Sequence, residues 1–93
     1  MIIGLLTVEA IIYDAHSLKE KRAVLQRITT RLKQKYNISV SEVDFQDTWQ
    51  HTKIAIAAVA SSKVSVEKEL DYVLKFIDSF PEIERTLTDI EWL

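Results

Sequence analysis

The chain predicts an α+β fold in which four strands and two helices follow one another in the order β-α-β-β-α-β. Three observations predict it. Apolar residues recur at helical spacing through residues 17–36 and again through 62–80. Residues 2–13 and 53–61 are apolar on both strand faces, as central strands are, whereas 38–46 and 83–93 alternate. Finally, 93 residues with one Gly and one Pro leave no room for a linker or a second domain. With right-handed crossovers, two such βαβ units interleave into a ferredoxin-like arrangement: a four-stranded antiparallel sheet with both helices on one face. The first and third strands then occupy the middle, and residues 1–93 make one domain.

Each element has its own local reason. Ile2 to Tyr13 is a nearly continuous run of Ile, Val, Leu and Thr. Asp14-Ala15-His16 connects it to Ser17, an N-cap residue with Glu20 three positions on to complete a capping box. Leu18, Leu25, Ile28, Leu32 and Tyr36 form the apolar stripe of the first helix, which Asn37 would stop in a left-handed conformation. Ile38 to Gln46 is the second strand, and Asp47 to His51 is the hairpin connection. Lys53 to Ser61 is the third strand. Ser62 and Ser65 compete to cap a second helix striped by Val66, Leu70, Val73, Leu74 and Ile77, ending near Phe80 before Pro81. Ile83 to Leu93 alternates as the last strand.

Composition removes several function classes. Without cysteine there is no disulfide, thiol nucleophile or thiolate metal site. The lone glycine rules out a Gly-rich phosphate loop, and no serine sits in a Gly-x-Ser-x-Gly context. The apolar N-terminus lacks a basic leader and a small-residue cleavage site, is interrupted by Glu9, and is too short to span a bilayer. A cytosolic protein with no membrane contact and no cofactor is the expectation.

Charge is unevenly placed. The net charge is −2, yet Lys19, Lys21, Arg22, Arg27, Arg31, Lys33 and Lys35 all fall between Ser17 and Asn37, with Glu20 the one acid among them. At 100° per residue, Lys19, Arg22 and Lys33 follow one edge of the helix and Arg27, Arg31 and Lys35 the other, with Gln26, Thr30 and Gln34 between them. Such a face is suited to RNA phosphates, with affinity that falls as salt rises. The competing reading is a solvated helix whose cations pair with Glu67, Glu69, Asp71 and Asp78 of the second helix. Lys21 falls inside the apolar stripe and calls for a carboxylate, with Asp14 or Asp47 in reach, or for a route to solvent. Alternatively Ser17, Lys19, Lys21 and Arg22 hold a phosphate at the helix start, against competition from the Glu20 carboxylate.

Three segments carry a family resemblance: Ser17-Leu18-Lys19-Glu20-Lys21-Arg22, Tyr36-Asn37-Ile38-Ser39-Val40-Ser41-Glu42 and Gln46-Asp47-Thr48-Trp49-Gln50. In these, and over essentially its whole length, the chain resembles the bacterial YlxP-like proteins, a domain family of uncharacterised function. The resemblance implies a ferredoxin-like single domain. It also implies a place near the ribosome, since genes of the family commonly neighbour those of translation initiation and ribosome-maturation factors. It carries no catalytic residues.

The sheet offers a second surface. If Leu6, Val8, Ala10 and Ile12 face the helices, then Leu5, Thr7, Glu9, Ile11 and Tyr13 face away, beside Ala55, Ala57 and Val59. These are small aliphatic positions and no base-stacking platform. An uncovered apolar face points instead to a homodimer through Leu5, Thr7, Glu9, Ile11, Ala55 and Ala57, with Lys53 or Arg85 answering Glu9. Trp49 and Trp92 are interface anchors or covers for the core ends. His16 and His51, with Asp14 and Asp47, match no metal-binding spacing. Glu42 and Asp44, two apart on one strand, share a face and make a polar strand surface.

The sequence therefore predicts a non-enzymatic accessory factor of translation or ribosome assembly. It would bind structured RNA, ribosomal RNA or a ribosomal subunit, through Lys19, Lys21, Arg22, Arg27, Arg31, Lys33 and Lys35. The alternative is a protein-interaction module, homodimeric, that recognises an acidic protein partner. A metal-dependent enzyme built on the two histidines is the remote third.

Overall fold

The computed structural model describes all 93 residues. Its elements are β1 (Ile2–Ile12), α1 (Leu18–Lys35), β2 (Ser39–Asp44), β3 (His51–Ala60), α2 (Lys63–Asp78) and β4 (Ile83–Trp92). The sheet order is β2-β3-β1-β4 and every neighbouring pair is antiparallel. The two apolar strands are central, as their composition requires.

Burial alternates along β1 with period two. Leu6, Val8, Ala10 and Ile12 are buried, while Leu5, Thr7, Glu9 and Ile11 are half-buried on the other face. The helices cover the first set. Leu25, Ile28 and Leu32 of α1 and Val66, Leu70, Val73 and Ile77 of α2 close the core over Ile54 and Ile56 of β3. Gly4 lies where α2 passes closest. A Cβ there would stand 2.7 Å from Val66 Cγ1 and 3.1 Å from Leu70 Cδ1, which explains a glycine inside a central strand.

Four boundary expectations are corrected. Asn37 is not left-handed; α1 ends at Tyr36, whose backbone turns extended (φ −126°, ψ 152°). The left-handed residues are Asp14 and Phe45, both with φ of 60°. Ser62, and not Ser65, caps α2: Ser62 Oγ accepts from Ser65 N at 3.2 Å. β2 is also shorter than its apolar pattern, because a bulge between Glu42 and Asp44 disturbs its pairing with β3. That bulge separates the two carboxylates expected on one face. Glu42 lies opposite Ile54 on the helix side, and Asp44 opposite Lys53 on the open side. No helix is long and apolar enough to cross a membrane.

Candidate nucleic-acid interface

α1 begins as its sequence requires. Ser17 is extended and its Oγ accepts from Glu20 N at 3.1 Å. The Glu20 carboxylate reaches back to His16 N at 2.7 Å, one residue beyond the usual box. Both groups that would receive or compete with an anion at the helix start are thus engaged with backbone amides.

Lys21 is withdrawn from solvent altogether. It is 0% exposed, its Nζ donates to Phe45 O at 2.5 Å and stands 3.0 Å from Glu42 Oε2. Thr52 Oγ1 donates to the same Glu42 oxygen at 2.6 Å. Lys21 is therefore removed from the expected phosphate contacts, and the proposed pocket of Ser17, Lys19, Lys21 and Arg22 does not form. The stripe position did call for a carboxylate, but the partner is Glu42 of β2, not Asp14 or Asp47. The lysine fastens the β2–β3 connection to α1. Phe45, strained at positive φ, is held there by Lys21, by Asp44 Oδ1 on its N–H at 2.8 Å, and by stacking on His51 with centroids 4.1 Å apart.

The other six cations remain exposed along α1. Arg27 pairs with Glu82, in the α2–β4 connection. Arg31 lies over the Phe80 ring at 5.7 Å, and Lys35 over Phe76 at 4.8 Å and Tyr36 at 5.8 Å. Lys19, Arg22 and Lys33 have neither a carboxylate within 4.0 Å nor a ring. The acids of α2 do not neutralise this face. Glu69 accepts from Asn37 N, Asp71 pairs with Lys75 of its own helix, and Asp78 takes both arms of Arg85 at 2.7 and 2.8 Å. That hydrogen-bonded pair pulls the Asp78 carboxyl below the usual aspartate range and raises Arg85. Between the two cationic edges, Ala23, Gln26, Thr30 and Gln34 form a neutral, shallow outward strip.

The open sheet face is as the alternation predicts. Leu5, Thr7, Glu9, Ile11, Ala55 and Ala57 are half-buried and no element covers them, while Val59 and Leu87 are more than half exposed. Glu9 is answered by His51 Nε2 at 3.6 Å, not by the expected Lys53 or Arg85. Arg85 points to the helix side, toward Asp78. Lys53 lies directly across from Glu9 in the β1–β3 register. Tyr13 ends β1, and its hydroxyl donates to Glu84, which raises its pKa above the ordinary tyrosine value. Trp92 packs against the core under the Lys63 ammonium, whereas Trp49 is 52% exposed on the hairpin. No three histidine or carboxylate side chains converge on a metal-sized site.

Sequence reasoning missed Glu42 and Glu82, each of which captures a cation of α1. The first was signalled in part, because Lys21 needed an acid. Nothing in the local pattern marked the second.

Comparison with known proteins agrees with this architecture. The chain is 66% identical over 90 residues to the Uncharacterized protein YlxP of Bacillus subtilis (strain 168), covering 97% of this chain and 98% of that one. The solution structure of a de novo designed protein with ferredoxin fold superposes at a TM-score of 0.56 and 10% identity, covering all of this chain and 84% of that one, a likeness of fold alone. A family model described as "Protein of unknown function (DUF503)" matches residues 3–90, and the chain belongs to that family.

Proposed function

We propose that this protein is a non-enzymatic accessory factor of translation or ribosome assembly, working in the cytoplasm and docking on structured RNA through the outward face of α1. One observation carries the reading: Lys19, Arg22, Arg31, Lys33 and Lys35 stand exposed on a single helix with no acidic partner. The neighbouring helix has its acids engaged elsewhere. A cationic face of this kind contacts phosphates, which position a protein on RNA without reading its sequence. The link to translation rests on the family resemblance.

The test is co-sedimentation with ribosomal subunits and with naked ribosomal RNA across a salt series, beside an Arg22→Glu/Arg31→Glu variant. Saturable binding that weakens with salt and disappears in the variant supports the reading. Failure of both targets to carry the wild-type protein down at low salt removes it.

A second reading is favoured by the open sheet face: a homodimeric interaction module, with α1 left free for an acidic protein partner. A two-fold mate laid on this face sets Glu9 of one copy near Lys53 of the other, so the surface is charge-complementary to itself. Leu5→Glu, placed centrally among half-buried aliphatics, should convert such a dimer to monomer by sedimentation equilibrium. A wild-type monomer at high protein concentration removes the dimer.

A further inference from the structure

We propose that the cleft between α1 and the α2–β4 connection is the phosphate-engaging part of this RNA interface, and that Glu82 occupies it as a built-in competitor. The inference rests on the RNA-docking reading above and adds to it where the RNA sits and what it displaces.

The cleft measures about 420 Å³, with Arg27 and Arg31 on one wall and Ser79, Pro81 and Glu82 on the other. The two arginines stand one helical turn apart, about 6 Å along the axis. Arg31 is held against its wall by the Phe80 ring and has no anion. Arg27 has one, the Glu82 carboxylate, and both members of that pair are partly exposed (42% and 33%). An ion pair at such exposure is worth no more than about 1 kcal/mol, so an incoming anion can replace it at small cost. Only the Glu82 side chain needs to yield, since its carbonyl accepts from Tyr13 N at 2.9 Å and anchors the backbone.

The far wall includes the C-terminal end of α2, whose carbonyls would ordinarily repel an anion. Here they are partnered. Phe76 O accepts from Ser79 N and Ser79 Oγ, Ile77 O from Phe80 N, and Phe80 O from Ile83 N. The site also prefers a chain of phosphates to a single carboxylate. Glu82 satisfies one guanidinium and leaves the other without an anion, whereas successive phosphodiesters offer one to each fork.

The experiment is fluorescence anisotropy of a fluorescein-labelled ribosomal RNA stem-loop across a salt series, with wild type, Glu82→Gln, Arg27→Ala and the double variant. Glu82→Gln should tighten binding about threefold. It should also steepen the log–log salt dependence by up to about one unit, as one more phosphate contact does. In the Arg27→Ala background the same change should gain nothing. If Glu82→Gln leaves the affinity of a binding-competent protein unchanged, or if its gain survives without Arg27, the cleft is not the site. A polyglutamate peptide that displaces the probe and gains equally from Glu82→Gln assigns the cleft to an acidic protein and overturns the RNA assignment. Wild type that does not bind the stem-loop at low salt removes the docking reading itself, and this inference with it.

Discussion

Lys21 and Lys33 sit on the same helix with the same charge, and the fold uses them in opposite ways. Lys21 is enclosed by Glu42, Thr52 and the Phe45 carbonyl at the foot of α1. Lys33 stands in solvent with no partner. What separates them is angular position: Lys21 shares the apolar stripe with Leu25, Ile28 and Leu32, and Lys33 lies on its outer edge. A cation in the stripe fastens the fold, and a cation off it is available to a ligand. Counting basic residues along a helix therefore overstates its binding face by the members that have an internal partner.

The comparison breaks first at Lys21. Lys21→Ala should cost about 3 kcal/mol or more in urea unfolding, because Glu42 would keep its charge at a largely buried position with no cation to answer it. Lys21→Met/Glu42→Leu should recover most of that loss, since replacing both members with apolar residues removes the desolvated charges together. A cost below about 1 kcal/mol for Lys21→Ala would make the pair energetically equivalent to a surface contact, and the distinction would collapse.

On the outward face the expectation inverts. Arg22→Glu/Arg31→Glu should move stability by about 0.5 kcal/mol or less, because both side chains are exposed and neither has an acidic partner, while sedimentation with RNA is lost. Equal losses of stability and binding would mean these cations also serve the fold.

The smallest effect expected is at Asp78. Arg85 holds its carboxyl below the usual aspartate range, so the folded state binds a proton there less readily than the unfolded chain does. The stabilisation from this pair is then fully present above the ordinary aspartate pKa of about 3.9 and is lost as pH falls through the lowered folded value. Asp78→Asn should flatten that acid limb of a stability–pH curve and leave neutral pH almost unaffected, since the pair is partly exposed. Tyr13 acts at the other extreme. Its raised pKa favours the protonated form in the fold, so its contribution is present below about pH 10 and lost as pH rises through the folded value.

Much of this molecule is legible in the chain because helices and strands announce themselves through local periodicity. Ser17 and Glu20 mark the start of α1, and Leu25, Ile28 and Leu32 mark its buried side, as the structure has them. The alternation of β1 separates Leu6 and Val8 from Leu5 and Thr7 without error. Illegible features depend on neighbours distant in sequence. The bulge that turns Glu42 inward and Asp44 outward arises from how β2 pairs with β3, and a strict period of two cannot express it. Asn37 is a residue type that favours the left-handed conformation, yet Asp14 and Phe45 adopt it, because tertiary contacts at Phe45 outweigh propensity.

The sequence by itself determined the element order, the helix-facing residues and the concentration of positive charge on α1. These follow from the side-chain periodicity of single elements, which each carries before it meets another. Only the tertiary structure decided which of those cations remain free, placing Lys21 against Glu42 and Arg27 against Glu82 while the acids of α2 turned elsewhere. Pairing of that kind is set by the register between strands and by the distance between elements. Both are products of packing a shared core, and neither is written in any one segment.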